Sequence, residues 1–261
     1  MNNARTSTAL ITGASGGIGE ALARELAAAG NNLILVDRSE GKLRALADDL
    51  AAKHGIVADV IIADLAAAGA GATLAQQLGE RPIDVLVNNA GFGDFGAFAE
   101  ADAGKVDQML ALNMVTLTDL TRAVLPGMIA RKRGKVMNVA STAAFMPGPL
   151  MAVYYATKAY VLSFSEAINN ELQGSGVSVT AVCPGPVASG FQAGADMGDS
   201  KLVKGKKIMS AETCARLAVK GMNSRKAVAV IGTKNKLLSM SPKFMPRALV
   251  PGIVRRAQSP G

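Results

Sequence analysis

Short apolar runs of strand length alternate along the chain with longer segments in which apolar residues recur at helical spacing. Seven runs have the length and composition of buried strands: residues 7–11, 33–36, 56–62, 83–87, 135–139, 177–182 and 227–231. Because helical segments separate these runs, the pattern predicts a parallel sheet with helices covering both faces. The predicted fold class is α/β, with a doubly wound parallel sheet of about seven strands.

Individual residues mark several helix ends. The first helix should run through Ala29 and stop at Gly30, since glycine readily adopts the left-handed conformation that follows a helix. Ser39 is the expected N-cap of the second helix, and Ser210 should cap a later helix that reaches about Met222. No repeat or low-complexity linker interrupts the alternation, so we expect one domain over residues 1–261.

Composition excludes several classes of protein. Hydrophobic residues make up 49% of the 261 residues and charged residues 18%, which is too apolar for a disordered chain. Cys183 and Cys214 are the only cysteines, and their spacing argues against a disulfide framework or a zinc site. The sequence has no signal-peptide pattern and no apolar run of about 18 residues. We therefore expect a cytoplasmic protein that needs no metal.

The charge is unevenly distributed. The formal net charge is +8, but residues 201–261 hold 14 Lys and Arg against the single acid Glu212, which gives +13. The first 200 residues hold the other 14 bases and 19 acids, which gives −5. The excess of positive charge therefore belongs to the last part of the chain, and any explanation of it must be local.

The first predicted strand leads into a glycine-rich turn, which reads TGASGGIG over residues 12–19. Glycines let a backbone approach a pyrophosphate closely, and the following helix N-terminus offers free N–H groups. An ordinary strand-to-helix turn is the alternative, but the context favours a dinucleotide site. The residues expected to bind the cofactor here are Gly13, Ser15, Gly16, Gly17, Ile18 and Gly19.

Asp37 ends the second predicted strand, 20 residues after Gly17. Dinucleotide-binding folds place an acid at this position to bind the ribose hydroxyls, whereas a capping or turn role is the alternative. Arg38 follows directly and could instead hold the 2′-phosphate of NADP. Because Asp37 would repel that phosphate, NAD is favoured over NADP, and both residues are expected cofactor contacts.

Tyr154 and Lys158 stand four residues apart on a helix that should begin near Met151, so they share one helix face. A nearby ammonium, helped by the positive ring of an oxidised nicotinamide, should lower the pKa of a tyrosine below its usual value near 10. The pair could then act as a general acid and base near neutral pH. A solvated surface contact is the alternative for such a pair taken alone.

Together with further motifs, these features make the sequence resemble the short-chain dehydrogenase/reductase family. The matching residues occur in the family's order from Thr12 to Ser189: the TGASGGIG turn, Asp64-Leu65, Asn88-Asn89-Ala90-Gly91, Asn113, Ser141, Tyr154-Tyr155-Ala156-Thr157-Lys158, Pro184-Gly185-Pro186-Val187 and Ser189. The family usually has Thr where this chain has Ser189. The resemblance implies a single-domain Rossmann fold and an NAD(P)-dependent oxidoreductase that interconverts an alcohol and a ketone or aldehyde.

The resemblance also implies residue roles. Tyr154 is the expected acid and base, Lys158 lowers its pKa and holds the nicotinamide ribose, Ser141 binds the substrate oxygen, and Asn113 holds a water that connects Lys158 to solvent. Asp64 and Leu65 should flank the adenine, while Asn89, Ala90 and Gly91 should line the cofactor cleft. Pro184, Gly185, Val187 and Ser189 should cover the nicotinamide.

The substrate end is predicted from apolar residues near the motif ends. The candidates are Phe92, Phe95, Phe145, Met146, Met151 and Phe191, together with a mobile lid over residues 187–209. Such residues suit a hydrophobic carbonyl or alcohol substrate, for example a steroid-like or acyl compound. The alternative interpretation is that several of them belong to the core.

Residues 232–261 form a basic tail in which apolar residues alternate with Lys and Arg. Pro242, Pro246 and Pro251 argue for short pieces rather than one amphipathic helix. The tail could contact an anionic membrane surface, wall the substrate cleft, pack across a subunit interface or attract an anionic substrate such as an acyl-CoA. It lacks the aromatic array typical of nucleic-acid binding.

Two functions from different classes are open at this point. One is an active oxidoreductase, for which the resemblance implies a homodimer or homotetramer built on the helices that hold Asn113 and Tyr154. The other is a nucleotide-binding regulator or membrane-surface scaffold that uses the basic tail. The complete set of Asn113, Ser141, Tyr154 and Lys158 favours the enzyme, because a scaffold does not need all four.

Overall fold

The computed structural model describes residues 6–191 and 208–258, with the backbone alone at residue 243. Its strands are β1 (Thr8–Thr12), β2 (Asn32–Asp37), β3 (Ala58–Ile62), β4 (Val85–Asn88), β5 (Gly134–Val139), β6 (Val177–Cys183), β7 (Val187–Ala188), β8 (Met209–Ser210) and β9 (Val228–Val230). Seven of them form one parallel sheet in the order β3-β2-β1-β4-β5-β6-β9, while β7 and β8 pair separately.

The helices connect these strands. They are α1 (Gly17–Ala28), α2 (Glu40–His54), α3 (Ala70–Leu78), α4 (Ala103–Leu110), α5 (Leu117–Ala130), α6 (Ala152–Glu171), α7 (Ala211–Asn223), α8 (Thr233–Met240) and α9 (Val250–Gln258). A π-helical turn, Ala111–Thr116, joins α4 to α5. Short 3₁₀ segments occur at Phe98–Glu100, Thr142–Phe145, Ser241–Phe244 and Arg247–Leu249.

Two apolar layers cover the sheet, because neighbouring residues of a strand point to opposite faces. In β1, Ile11 packs with the apolar stripes of α1, α2 and α7, whereas Leu10 packs with those of α3 and α5. This is the doubly wound α/β arrangement predicted from the sequence, and the fold class is confirmed. Each predicted strand corresponds to an observed one, with ends that differ by at most two residues.

The predicted helix ends are close to the observed ones. Helix α1 ends at Ala28 and is followed by Gly30, whose φ of 78° is left-handed. Ser39 occupies the N-cap position of α2. Ser210 caps α7 with its side chain, which accepts a hydrogen bond from the backbone N–H of Thr213 at 3.2 Å.

The strand order reverses between β1 and β4, where the chain crosses from one side of the sheet to the other. Because all strands of the sheet run parallel, their carboxyl ends meet at one edge. In open α/β sheets a crevice forms at this edge beside the reversal point, and ligands bind there. The motifs at the ends of β1, β2, β4, β5 and β6 are thereby brought to one place.

Candidate active site

The glycine-rich turn is tight for reasons internal to the protein. Gly13 and Gly17 have φ values of 67° and 55°, which strain any residue with a side chain. A Cβ on Gly19 would stand 1.9 Å from the backbone oxygen of Gly13. These glycines are therefore required by the fold of the turn itself.

Gly16 differs from its neighbours. Apart from its chain neighbours, no atom of the described residues lies within 4 Å of the position that a Cβ on Gly16 would take, and its φ of 176° suits any residue. The protein's own packing therefore does not demand glycine there, whereas a ligand approaching the backbone at the start of α1 would. This open cradle at a helix N-terminus fits the pyrophosphate of a dinucleotide.

A brace behind the turn ties β1 to β4. Thr12 Oγ1 accepts hydrogen bonds from the backbone N–H groups of Asn89 and Ala90 at 3.0 and 3.1 Å. Asn89 Nδ2 donates to the backbone oxygens of Thr12 and Gly13 at 3.0 and 3.1 Å. The Asn89 side chain, which was expected to line the cofactor cleft, thus holds the turn in place. Thr12 was not singled out from the sequence as a residue with a role.

The carboxylate of Asp37 is fixed at the end of β2. Its Oδ2 accepts a hydrogen bond from the backbone N–H of Ser15 at 3.3 Å, and its Oδ1 accepts one from the backbone N–H of Arg38 at 2.7 Å. The half-buried carboxylate therefore lies directly beside the glycine-rich turn, while the Arg38 side chain is exposed. This is the place where a ribose next to a bound pyrophosphate would be recognised.

Asp64 and Leu65 separate on folding, although they are adjacent in sequence. Asp64 is exposed after β3 and accepts a hydrogen bond from the backbone N–H of Ala66 at 3.0 Å. Leu65 is buried in the core beneath, where its backbone oxygen accepts a hydrogen bond from Thr116 Oγ1 at 2.9 Å. The backbone of the pair lies at the cleft edge, but the Leu65 side chain belongs to the core.

The segment after β6 lies over the glycine-rich turn. A Cβ on Gly17 would stand 2.6 Å from the backbone oxygen of Ser189, and the Pro184 oxygen accepts a hydrogen bond from Thr142 at 2.8 Å. Gly185 packs against Asn235 of α8, and Val187 is buried. Of these four expected residues, Ser189 therefore lies against the turn, while Val187 belongs to the core.

Tyr154, Lys158 and Ser141 come together where β5 ends and α6 begins. The phenol of Tyr154 hydrogen-bonds with the Ser141 side chain, and the Lys158 Nζ lies 5.8 Å from the centre of the Tyr154 ring. Lys158 Nζ also donates to the backbone oxygen of Val139 at 2.8 Å. Both Tyr154 and Lys158 are buried, so the three polar side chains form one shielded cluster.

Burial dominates the protonation of this cluster. It raises the pKa of Tyr154, and the hydrogen bond with Ser141 only partly opposes this shift. It lowers the pKa of Lys158 to about 8. The lowered tyrosine pKa expected from the Tyr-Lys pair is therefore wrong for the protein alone, because a phenol that is 9% exposed loses the water that would stabilise its anion.

Asn113 lies in the π-helical turn and is fully engaged. Its Nδ2 donates to the backbone oxygen of Phe92 at 2.9 Å and to Thr157 Oγ1 at 3.1 Å, so both amide hydrogens are used. Its Oδ1 accepts a hydrogen bond from the Phe92 N–H at 3.2 Å. The side chain therefore pins the segment after β4 to α6. A water on the route to Lys158 would need another partner, such as a backbone carbonyl that the π-turn leaves free.

Gly91 allows this close approach. A Cβ on Gly91 would stand 2.9 Å from Asn113 Oδ1 and 3.4 Å from Lys158 Nζ. Ala90 and Gly91 are half-buried and follow the brace to the turn. The segment after β4 thus connects the expected cofactor end of the cleft to the polar cluster.

Tyr154 also belongs to an apolar cluster. Its buried members are Met109, Ala143, Met151, Tyr154, Tyr155, Val250 and Val254, and Phe92, Phe95, Met146, Val153, Phe191 and Met245 pack against them. The Phe191 ring lies 5.2 Å from that of Tyr154. Five of the six expected substrate residues meet here. Phe145 does not, because it packs in a different cluster with Leu117 and Val161.

The end of the chain completes this cluster. Gln258, the last residue of α9, is fully buried and its Nε2 donates a hydrogen bond to the hydroxyl of Tyr155. Val250, Val254 and Gln258 lie at helical spacing on one face of α9, which packs next to Tyr154. The role of Gln258 was missed from the sequence, since the two partners are 103 residues apart.

The described part of the chain holds neither a cluster of metal ligands nor a membrane-spanning helix. Within residues 6–191 and 208–258, no three His, Cys, Asp or Glu side chains cluster so that they could hold a metal ion. None of the described helices is both long and apolar enough to cross a membrane. Residues 192–207 of the expected lid and 259–261 of the tail lie outside the described residues.

Comparisons with known proteins agree on one family. The family model for short chain dehydrogenases matches residues 7–198. The very-long-chain 3-oxoacyl-CoA reductase of Mus musculus is 31% identical over 250 residues, which are 92% of this chain and 75% of that protein.

Two solved structures are similar to the whole fold. A short-chain dehydrogenase from Sphingobium yanoikuyae in complex with NADPH has a TM-score of 0.82 and 31% identity, covering 91% of this chain and 93% of that one. The bulky-bulky ketone specific alcohol dehydrogenase from Comamonas testosteroni has a TM-score of 0.78 and 31% identity, covering 91% and 92%. With the family model matching most of the chain, the protein belongs to the short-chain dehydrogenase family and is an NAD(P)-dependent oxidoreductase acting on CH–OH groups.

Proposed function

We propose that the protein interconverts a bulky, apolar ketone and its alcohol, with Ser141, Tyr154, Lys158 and Asn113 as its working residues and NAD as its preferred cofactor. The observation that carries this proposal is the shielded cluster of Ser141, Tyr154 and Lys158. It lies between a cradle suited to a dinucleotide and an apolar cluster suited to a hydrophobic substrate.

Each side chain has one task in the proposed mechanism. The bound nicotinamide supplies or accepts the hydride, and it adds positive charge when oxidised. In reduction, Ser141 donates a hydrogen bond to the substrate oxygen, and Tyr154 gives that oxygen its proton as the carbonyl carbon receives hydride. In oxidation the same proton returns to Tyr154 from the hydroxyl.

Lys158 restores the proton of Tyr154. With a pKa lowered to about 8 by burial, its amine can both give and take a proton near neutral pH. Asn113 acts as a positioning residue, because it joins the segment after β4 to the helix that carries Tyr154 and Lys158.

The preference for NAD rests on Asp37. Its carboxylate is held beside the glycine-rich turn by backbone N–H groups, where it can accept hydrogen bonds from ribose hydroxyls and repel a 2′-phosphate. The relative from Sphingobium yanoikuyae was solved with NADPH, and Arg38 is exposed next to Asp37. Comparing kcat/KM for NADH and NADPH decides between the two, and a preference for NADPH would contradict the proposal.

The substrate class rests on the apolar cluster around Tyr154. Names of relatives point the same way, since one reduces very-long-chain 3-oxoacyl-CoA and another is specific for bulky-bulky ketones. We infer a ketone with sizeable apolar groups on both sides of the carbonyl. A panel of carbonyl compounds followed by NAD(P)H absorbance tests this, and turnover of small polar sugars alone would refute it.

The assignment of Tyr154 is tested by Tyr154→Phe. Turnover should fall about a thousandfold because the proton donor is lost, while the dissociation constant for NADH should change little. Tyr160→Phe is the matched control: it lies on the same helix and also loses one hydrogen bond, to Thr118 at 2.8 Å. Turnover of Tyr154→Phe within tenfold of that control would exclude Tyr154 as the acid and base.

We further propose a cytoplasmic homodimer or homotetramer whose subunits meet on the helices around Asn113 and Tyr154. Leu110 and Val115, which flank Asn113, are exposed large apolar side chains and support this choice of face.

A further inference from the structure

The C-terminal part of the chain exposes an unusual amount of apolar surface. Half of the large apolar side chains found exposed in the described residues lie between positions 237 and 253. They are Leu237, Leu238, Met240, Phe244, Leu249 and Ile253, which we call the C-terminal surface. Phe244 is 82% exposed and Leu237 69%. Single exposed apolar residues are ordinary, but six of them within 17 consecutive residues point to a binding surface.

Helix α8 has an inverted pattern. Its inward residues are polar: Asn235 Nδ2 donates to the backbone oxygen of Ile231 at 2.8 Å, and Ser239, which is buried, donates to that of Lys236 at 2.9 Å. Its outward residues are Leu237, Leu238 and Met240. A surface helix of a globular protein normally turns its apolar stripe to the core. The outward stripe of α8 is therefore left uncovered by the described part of the chain.

Helix α9 has two separate apolar faces. Val250 and Val254 are buried in the apolar cluster that contains Tyr154, so the core requirement of the helix is met. Leu249, directly before the helix, and Ile253 are four residues apart, about 100° around the axis from Val250 and Val254, and both are exposed. Their exposure is therefore additional to the packing that holds α9 in place.

The charges around this surface have one sign. From Thr213 to Gln258 the sequence contains no Asp or Glu. Lys234, Lys236, Arg247, Arg255 and Arg256 are exposed beside or between the apolar residues. Basic residues interleaved with exposed leucine, methionine and phenylalanine match the chemistry of an anionic lipid surface.

Other occupants fit less well. A second copy docking through this surface would bring like charges together, which is unfavourable. The phosphates of a nucleic acid would pair with the Lys and Arg side chains, but the leucines and Met240 would stay in water. The exposed residues Leu110 and Val115 already offer a separate face for subunit contact.

We propose that the C-terminal surface docks on an anionic lipid membrane, with the apolar side chains in the headgroup boundary and the basic ones on the lipid phosphates. Because the inner face of α9 bounds the apolar cluster at Tyr154, docking would bring that cluster close to a lipid-dissolved substrate. Only the transfer of a lipid-dissolved substrate to the cluster rests on the proposed substrate class. The docking itself does not.

The test is sedimentation of the full chain with vesicles. Vesicles of phosphatidylglycerol mixed with phosphatidylcholine should bind the protein, and pure phosphatidylcholine should bind it at least about tenfold more weakly. High salt should release it from the anionic vesicles. Equal binding to both vesicle types, or none to either, would overturn the proposal.

Matched variants locate the surface. The double variant Leu237→Gln with Phe244→Gln should lose at least about tenfold in partition, since two large apolar groups no longer insert. The control is Val57→Gln with Phe98→Gln, whose side chains are 60% and 67% exposed outside the tail. Lys234→Gln with Lys236→Gln should weaken binding by about fivefold per charge, against Lys42→Gln with Lys53→Gln on α2.

Two outcomes would point to other occupants. If the Leu237 and Phe244 double variant bound anionic vesicles like its control, membrane docking through this surface would be wrong. If it instead changed the oligomeric mass of the lipid-free protein, the surface would be a subunit interface. Reduction of a water-soluble ketone, measured in parallel, should be unchanged in all variants, so a failure of the proposed activity remains distinguishable from a failure of docking.

Discussion

Gly16 and Gly19 stand three residues apart in one turn, yet they are glycines for different physical reasons. A Cβ on Gly19 would collide with the Gly13 backbone, whereas one on Gly16 would have open space around it among the residues that the structure describes. The first requirement comes from folding and the second from a ligand. An added methyl group should therefore reduce folding stability at Gly19 and ligand binding at Gly16.

Two alanine substitutions test the contrast. Gly19→Ala should destabilise the protein by about 3 kcal/mol, because backbone atoms cannot move aside cheaply. Gly16→Ala should leave the thermal unfolding temperature nearly unchanged and raise the Kd for NADH by about tenfold or more, because the methyl occupies the approach to the backbone. Calorimetry and fluorescence titration give both quantities. A Gly16→Ala protein that binds NADH normally would remove the main argument for the cradle.

Asp37 allows a test of cofactor choice at the same scale. Asp37→Ser removes the charge that faces the ribose, while the short hydroxyl can still accept a backbone N–H. The ratio of kcat/KM for NADH over NADPH should fall by about tenfold or more. Asp64→Ser, at an exposed carboxylate near the cleft edge, is the control. If both variants shifted the ratio equally, the overall negative charge near the cleft, and not Asp37 itself, would set the preference for NADH over NADPH.

Among the elements, α9 is held by a buried polar contact in addition to its apolar packing. Gln258 is buried at its end, and its hydrogen bond to Tyr155 links the tail to the helix that carries Tyr154. Burial raises the pKa of Tyr155 to about 12, so its hydroxyl stays protonated and available as a partner throughout the neutral range. The bond thus positions α9 and, through it, one wall of the apolar cluster.

Loss of this contact should act on substrate binding. Gln258→Ala should raise KM for a bulky ketone several-fold, because the wall loosens, while kcat for a small ketone changes little. Gln77→Ala, an exposed position on α3, is the control. Tyr155→Phe should have the same effect, and the double variant should add little to either single one, since one bond is removed in all three. Fully additive effects would show that Gln258 does not act through Tyr155.

The sequence predicted those elements whose signals are local. The seven apolar runs correspond to seven strands, and Tyr154 and Lys158 lie on one helix as their spacing predicted. Both predictions succeeded because they depend only on residues that are close in the chain. The Thr12 to Asn89 brace and the Gln258 to Tyr155 bond join residues 77 and 103 positions apart, so no local pattern encodes them. Phe145 was misplaced because apolar residues carry no sign of which cluster they join.

On the scale of the whole molecule, exposed apolar side chains indicate where copies should meet. Val115 lies in the π-helical turn next to Asn113 and is 52% exposed. Val115→Glu should shift the assembly toward monomers, because a carboxylate would be buried at the contact. Light scattering measures the mass, and Val57→Glu, on the loop before β3, is the control. A monomeric wild type, or an unchanged mass in Val115→Glu, would contradict the proposed contact face.

The brace between Thr12 and Asn89 has a mechanical consequence. Its four hydrogen bonds join the two halves of the sheet at the point where the strand order reverses. Two-lobed enzymes open by a hinge between their halves, but here the hydrogen bonds prevent such a motion between the two halves of the sheet. Entry and exit of molecules should therefore depend on elements at the rim such as α9, while the two halves of the sheet keep their relative positions.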